Sequence, residues 1–246
     1  MTLPINGLIL KVSNSKESDR TIALLTEQGL LYAYAKAARN VKSKKFAATN
    51  PLCYSHFVLF EGKDLYIVNE AECKEVFFEL RNDIEKMSLA QYFCELLLYI
   101  TPESSDTSDV LRLTLNSLHF LCKSDKDINL IKSVFELKLM CFMGFMPDLL
   151  ACAECAKFEG DMYFDIVEGM LYCVDCKPSN SYTLKKITPS MLSVMRHIVF
   201  SDFSKLFSFQ ASKETLLAVA DIIESYTLNK TERQFKTLKF FHSVRI

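Results

Sequence analysis

The chain has 246 residues, half of them hydrophobic, enough to bury a large core distributed over one to three domains. Its 29 Lys and Arg against 30 Asp and Glu leave a net charge of -1, which excludes a global basic field, so any nucleic-acid binding must come from a local patch. Six Gly, six Pro and no low-complexity stretch exclude long disordered linkers, and no run approaches the roughly 18 apolar residues that span a bilayer.

The opening Met1-Thr2-Leu3-Pro4-Ile5-Asn6-Gly7 lacks the basic stretch and apolar core of a secretion signal. Short strand-like runs follow. Leu8–Val12 comes first, then Thr21–Thr26, a Glu27-Gln28-Gly29 turn, and Leu30–Ala35. Cys53–Phe60 and Leu65–Val68 flank Glu61-Gly62-Lys63-Asp64, which reads as a hairpin loop. Five strands in about 75 residues suit a small coiled β-barrel such as the OB-fold, and an SH3-like barrel fits the pattern nearly as well.

This β-region holds the one local basic concentration. Lys36, Arg39, Lys42, Lys44 and Lys45 fall within ten residues that contain no Asp or Glu, where the third strand should end. Lys11, Lys16 and Arg20 belong to an earlier strand and its turn. Basic loops on an OB-type barrel track phosphates, and Tyr32, Tyr34, Phe46 and Tyr54 are available to stack bases. The competing reading is a solvated loop.

From residue 76 the hydrophobic period is helical: Val76, Phe77, Leu80, Ile84 and Met87, then Leu89, Tyr92, Phe93, Leu96 and Leu97. A polar interruption spans Thr101–Ser108. Val110 to Leu121 resumes the period, and Ile128–Phe145 predicts another helix, ended by Gly144 and Pro147. Thr188-Pro189 predicts an N-cap with Pro at the first helical position, Ser212 caps a further helix, and Thr231–Phe241 is the last. The basic run Lys230, Arg233, Lys236, Lys239 and Arg245 suits the solvated face of a helix.

Cys152, Cys155, Cys173 and Cys176 interrupt this helical region as two C-x2-C pairs separated by seventeen residues. Each pair can turn both sulfurs inward on one tight loop, and two such knuckles place four thiolates tetrahedrally around one Zn2+. Met162-Tyr163-Phe164 and Met170-Leu171-Tyr172 are strand-like, with Glu168-Gly169 able to turn the chain between them. With four protein ligands no position is open to water or substrate, so the metal is expected to be structural. A disulfide pair, a redox switch and cysteines with no joint role are the alternatives. The acidic neighbours Glu154, Glu159, Asp161 and Asp175 would not lower the thiol pKa values. Cys53, Cys73, Cys94, Cys122 and Cys141 have no regular partner spacing and are expected to behave as small hydrophobes. An odd total of nine cysteines argues against a secreted disulfide scaffold, so the expected compartment is the cytoplasm.

No phosphate loop, H-E-x2-H or G-x-S-x-G motif is present, and His56, His119, His197 and His242 lie in none of the contexts that zinc deaminases require. The chain is therefore expected not to be an enzyme.

The order of parts resembles the bacterial RecO recombinational repair family over almost the whole length. The resemblance rests on Gly7-Leu8-Ile9-Leu10, Glu17-Ser18-Asp19-Arg20, Leu24-Leu25-Thr26, Ala35-Lys36-Ala37-Ala38-Arg39 and Lys42-Ser43, together with the position of the four-cysteine insert. Phe46-Ala47-Ala48 departs from it, since the family often has glycine there. The resemblance implies an α+β chain: an OB-fold nucleic-acid-binding domain at 1–75, a helical domain at 76–246, and a four-cysteine zinc insert at 150–180. It implies a recombination mediator that binds single- and double-stranded DNA, anneals complementary strands and contacts the tail of single-stranded-DNA-binding protein. With RecR, and RecF in some settings, such a protein helps load RecA; the implied location is the nucleoid. The implied DNA surface comprises Lys11, Lys16, Arg20, Lys36, Arg39, Lys42, Lys44 and Lys45, with Arg20 nearly as well suited to an internal ion pair beside Asp19 and Glu17. A zinc-stabilised protein-interaction adaptor without direct DNA binding is the alternative, and a module that releases zinc on oxidation is a third.

Overall fold

The structure is a computed structural model that describes residues 2–62, 65–179 and 182–245. The chain packs as two compact units. One runs through Lys123 and includes the C-terminal segment from Phe235; the other is Ser124–Gln234.

The first unit is built on five strands: β1 (Thr2–Ser15), β2 (Asp19–Thr26), β3 (Gly29–Ala35), β4 (Cys53–Phe60) and β5 (Tyr66–Val76). They close in the order β1-β2-β3-β5-β4, with every pair antiparallel except β3 and β5, where Ala33 meets Tyr66 and Tyr34 meets Ile67 in parallel. That order, with the one-turn helix α1 (Lys45–Ala48) between β3 and β4, is the OB-fold and not the SH3-like barrel. Alternation drives closure: Phe57, Leu59, Val68, Ile5, Ile9, Ile22 and Leu24 turn inward into one sealed cluster.

All five predicted strands are present, but β1 and β5 are longer than the predicted Leu8–Val12 and Leu65–Val68. In β5 the extension, Asn69–Val76, is largely exposed and charged, so backbone pairing with β4 maintains it without an apolar stripe. Of the predicted hairpin loop, Lys63 and Asp64 lie outside the described residues. Gly29 ends the β2–β3 turn at a φ of +106°, and a Cβ there would meet the Pro102 and Glu103 backbone at 2.7 Å. The polar interruption docks on this turn, with the Thr107 hydroxyl donating to the Thr26 carbonyl at 2.7 Å.

The helical period begins later than residue 76. Val76 ends β5, a 3-10 turn covers Phe78–Asn82, and α2 (Ile84–Ile100) starts after Asp83, whose carboxylate accepts the Lys86 N–H at 3.0 Å. Helix α3 (Ser108–Lys123) follows. The last helix, α7 (Lys236–Val244), returns to this unit, where the Glu95 carboxylate accepts the Thr237 N–H at 3.0 Å.

The second unit packs α4 (Ile128–Phe142) against α5 (Pro189–Phe200) and α6 (Lys213–Thr231). Thr188 and Ser212 cap α5 and α6 as predicted. Within α4, Lys132 is buried between Glu136 at 2.9 Å and Glu224 of α6 at 2.8 Å. The predicted helix Thr231–Phe241 is instead two elements. Thr231 closes α6, Glu232 adopts a left-handed φ of 49°, and α7 starts at Lys236. The break lets Phe235 bury its ring edge-on against Tyr92 and Tyr99 of α2. A small sheet in the order β7-β6-β8 completes the unit: β6 (Met162–Asp165), β7 (Met170–Cys173) and β8 (Leu184–Ile187).

Candidate metal centre and basic surface of the barrel

The β6–β7 hairpin returns the second cysteine pair to the first. Its turn is set by Gly169 at a φ of +76° and by the Asp165 carboxylate, which accepts the Val167 N–H at 2.8 Å. A bridge of Cys152 to Leu171, with the Ala153 N–H donating to the Leu171 carbonyl at 2.8 Å, lays the first pair beside β7. Each pair then forms a tight turn: the Ala156 N–H donates to the Cys152 carbonyl at 2.9 Å, and the Lys177 N–H to the Cys173 carbonyl at 3.0 Å. Ala156 carries the left-handed residue of the first turn, at a φ of 58°.

All four Sγ atoms lie within 4.8 Å of one another, and those of Cys155 and Cys173 are 3.7 Å apart. Thiolates about 2.3 Å from a tetrahedral ion stand about 3.8 Å from each other, so the cluster can hold a metal ion. Cys152 and Cys173 are buried, Cys176 is half-buried and Cys155 exposed. Burial opposes ionisation of Cys152, but backbone N–H groups of Cys155, Cys173 and Glu154 directed at its sulfur lower its thiol to about 6. The neighbouring sulfurs of Cys155 and Cys173 push Cys176 up to about 12. The acidic neighbours visible in the sequence, Glu154, Glu159, Asp161 and Asp175, would not lower a thiol. The backbone amides of a knuckle carry no residue-type signal, and they act in the opposite direction.

On the barrel, the structure sorts the basic residues into two kinds. Arg20 is turned inward: its Nη1 donates to the Phe46 and Thr49 carbonyls at 3.1 and 3.2 Å and to the Thr49 hydroxyl at 2.8 Å, and its guanidinium lies over the Phe46 ring. Asp19 turns away from it, accepting the Ala37 N–H at 2.8 Å and the Tyr34 hydroxyl. The Lys45 ammonium donates to the Val68 carbonyl at 2.8 Å. Arg39 lies against the β1–β2 turn, its N–H on the Ser18 carbonyl at 2.9 Å and its Nη1 on the Glu17 carbonyl at 3.0 Å, which brings Lys16 of that turn beside the basic segment. Lys16, Lys36, Lys42 and Lys44 are exposed and have no ion pair among the described residues.

Lys11 is placed elsewhere. It follows a bulge in β1 and lines a groove with Leu52, Arg81, Met87 and Lys236. Of the aromatics proposed for stacking, Tyr34 and Phe46 are engaged by Asp19 and Arg20, while Tyr32 and Tyr54 are half-buried. The second basic run is split among the end of α6, the break at Arg233 and α7 with its cap, with Lys230 on the Val167 carbonyl at 2.6 Å and Arg245 on Glu85 at 3.2 Å.

A closed OB barrel, a helical remainder and a four-thiol hairpin inserted between helices define an α+β class of protein. The comparisons agree: the family models "Recombination protein O N terminal" and "Recombination protein O C terminal" match residues 1–77 and 81–239. The chain belongs to the RecO family. It is 34% identical to "DNA repair protein RecO" of Acetivibrio thermocellus over 98% of this chain and 97% of that one. The same-named protein of Symbiobacterium thermophilum is 30% identical over 98% and 97%, and that of Alkaliphilus metalliredigens 29% over 95% of each. Membership is consistent with a role in DNA repair. Among the described residues no helix is long and apolar enough to cross a membrane.

Proposed function

We propose that this protein is a non-enzymatic recombination mediator that binds single- and double-stranded DNA and anneals complementary strands. The observation that carries the reading is the cluster of Lys36, Lys42 and Lys44 on a segment tied down by Asp19, Arg20 and Lys45, with Lys16 of the β1–β2 turn beside it, all four exposed and without ion pairs among the described residues. Two polyanionic strands pair only when their charge is neutralised, and lysines held at fixed spacing neutralise it by releasing counterions. No bond is made or broken by the protein. Arg39 adds charge at the same place, and Lys11 offers a separate phosphate contact in the groove it shares with Arg81 and Lys236. Arg20 contributes by holding α1 in place.

Residues 1–75 serve as the DNA-binding domain and 76–246 as the helical domain, with the insert at 150–180 holding one structural Zn2+ on Cys152, Cys155, Cys173 and Cys176. Four thiolates in a closed shell suit zinc, which then crosslinks the two knuckles and supplies no catalysis. The protein partners are RecR and the tail of single-stranded-DNA-binding protein, with RecF in some settings, and the outcome is RecA loaded on coated strands in the cytoplasm, at the nucleoid.

A second reading is a zinc-stabilised adaptor without direct DNA binding. Exposed apolar side chains around the hairpin, Leu150, Phe158 and Val174, favour it as a docking surface. Two complementary strands, one fluorescent and one quenching, are mixed with the protein without ATP, bare and coated with single-strand-binding protein. Salt-sensitive annealing that survives the coating supports the mediator. No binding even at low salt overturns it in favour of the adaptor.

A further inference from the structure

Two of the five cysteines outside the four-thiol cluster meet in the barrel. Cys53 opens β4 and is fully buried; Cys73 lies on β5 and is half-buried. Their sulfurs are 2.9 Å apart, inside van der Waals contact, although the residues stand twenty apart in sequence. The register explains the meeting. Tyr54 pairs with Glu75 and Ser55 with Cys73, so Lys74 is an extra residue on β5, and the resulting bulge re-aims Cys73 toward the start of β4. The Ser55 hydroxyl, 3.2 Å from the Cys53 sulfur, donates to the Ala48 carbonyl at 2.9 Å and fixes this corner to α1. Cys73 also lines an open cleft of about 830 Å3 bordered by Lys44, His56 and Glu72, which gives a small oxidant a path to it.

We propose that Cys53 and Cys73 form a dithiol modification site that hydrogen peroxide converts to an intramolecular disulfide. The Cys73 sulfur attacks the O–O bond, takes one oxygen as a sulfenic acid and releases water. The Cys53 sulfur then attacks the Cys73 sulfur. The S–S bond forms, the S–O bond breaks, and the hydroxyl leaves as a second water with the Cys53 thiol proton. Two thiol hydrogens and two electrons pass to the peroxide, which is fully reduced. Cys73 reacts first because it reaches the cleft, while burial pushes the Cys53 thiol up to about 12. Cys94 and Cys141, held as thiols at about 12 and about 11 by burial, are expected to lag.

The test uses the full chain with its metal retained. It is exposed to hydrogen peroxide, its remaining thiols are alkylated, and its peptides are mapped without reduction. The expected product joins the Cys53 and Cys73 peptides with the loss of two hydrogens and appears roughly tenfold faster than oxidation of Cys94 or Cys141. Cys73→Ser is expected to abolish the link and leave Cys53 available to alkylation in denaturant. Because the link is mapped in the unsubstituted protein, a variant that fails to fold does not void the test. Cys73 recovered fully alkylated, oxidised without a link to Cys53, or bridged only to Cys152, Cys155, Cys173 or Cys176 overturns the proposal.

Discussion

The Asp19 carboxylate accepts the backbone N–H of Ala37 at 2.8 Å, pinning the residue where the third strand gives way to the basic segment. Ala37 has a φ of 54°, a left-handed conformation that costs a residue with a Cβ about 1 kcal/mol or more, and the hydrogen bond helps hold it there. The Tyr34 hydroxyl on the other oxygen makes one carboxylate the hinge pin for strand and segment together.

The Tyr34 hydroxyl, then the Ala37 N–H, hold the Asp19 carboxyl below its ordinary value of 3.8. A carboxyl whose folded pKa is depressed stabilises the fold fully above its unfolded value and loses that contribution as pH falls through the folded one. Asp19→Asn is therefore expected to melt lower than the native chain near neutral pH. Thermal unfolding measured against pH should show the gap closing only below 3.8. A gap that stays constant through that range would assign the loss to shape and not to charge.

Arg20 and the exposed lysines should separate by salt dependence. Arg20→Lys removes a guanidinium that makes three hydrogen bonds to Phe46 and Thr49, and should cost about 2 kcal/mol in denaturant unfolding. Its slope of log affinity against log salt for single strands should match that of the native chain. Lys42→Ala with Lys44→Ala should leave stability unchanged and flatten that slope by about 1.4, about 0.7 for each phosphate no longer neutralised. The reverse pattern would place the phosphate contacts on Arg20.

On the proposed zinc site, removing the metal should disrupt the hairpin first. Elemental analysis of protein purified without chelator is expected to find one zinc per chain, and Cys152→Ser to find almost none. Closed thiolate sites bind with free energies on the order of 10 kcal/mol, so the variant should lose solubility or unfold its helical part well before DNA binding fails. Metal-free native protein with unchanged melting would refute a structural role.

Lys132→Met should be severe. It leaves the Glu136 carboxylate, which is fully buried, without the ammonium 2.9 Å away that also meets Glu224. Stripping one partner from such a cluster costs about 3 to 5 kcal/mol. Urea unfolding of the full chain measures it, and a loss below about 1 kcal/mol would mean that water reaches the site.

What the sequence determined by itself is local. The four-cysteine hairpin was legible because each knuckle is decided within a few residues, and Gly169 marks the turn between them. Strands were legible where burial alternates, as in Cys53–Phe60, and not in the charged half of β5, where only Ala71 and Cys73 turn toward the barrel and backbone pairing with β4 does most of the holding. The helix start at Ile84 and the break before Lys236 were blurred, because Val76, Phe77 and Phe235 follow a helical period while serving other contacts. The basic segment was visible as charge, but not which charges are free. Arg20 binds carbonyls 26 and 29 residues away, Lys45 one 23 residues away, and Cys53 meets Cys73 only through a bulge. Only the tertiary structure decided these pairings. A side chain's partner depends on which strands the closed barrel makes neighbours, and residue type and spacing carry no record of that.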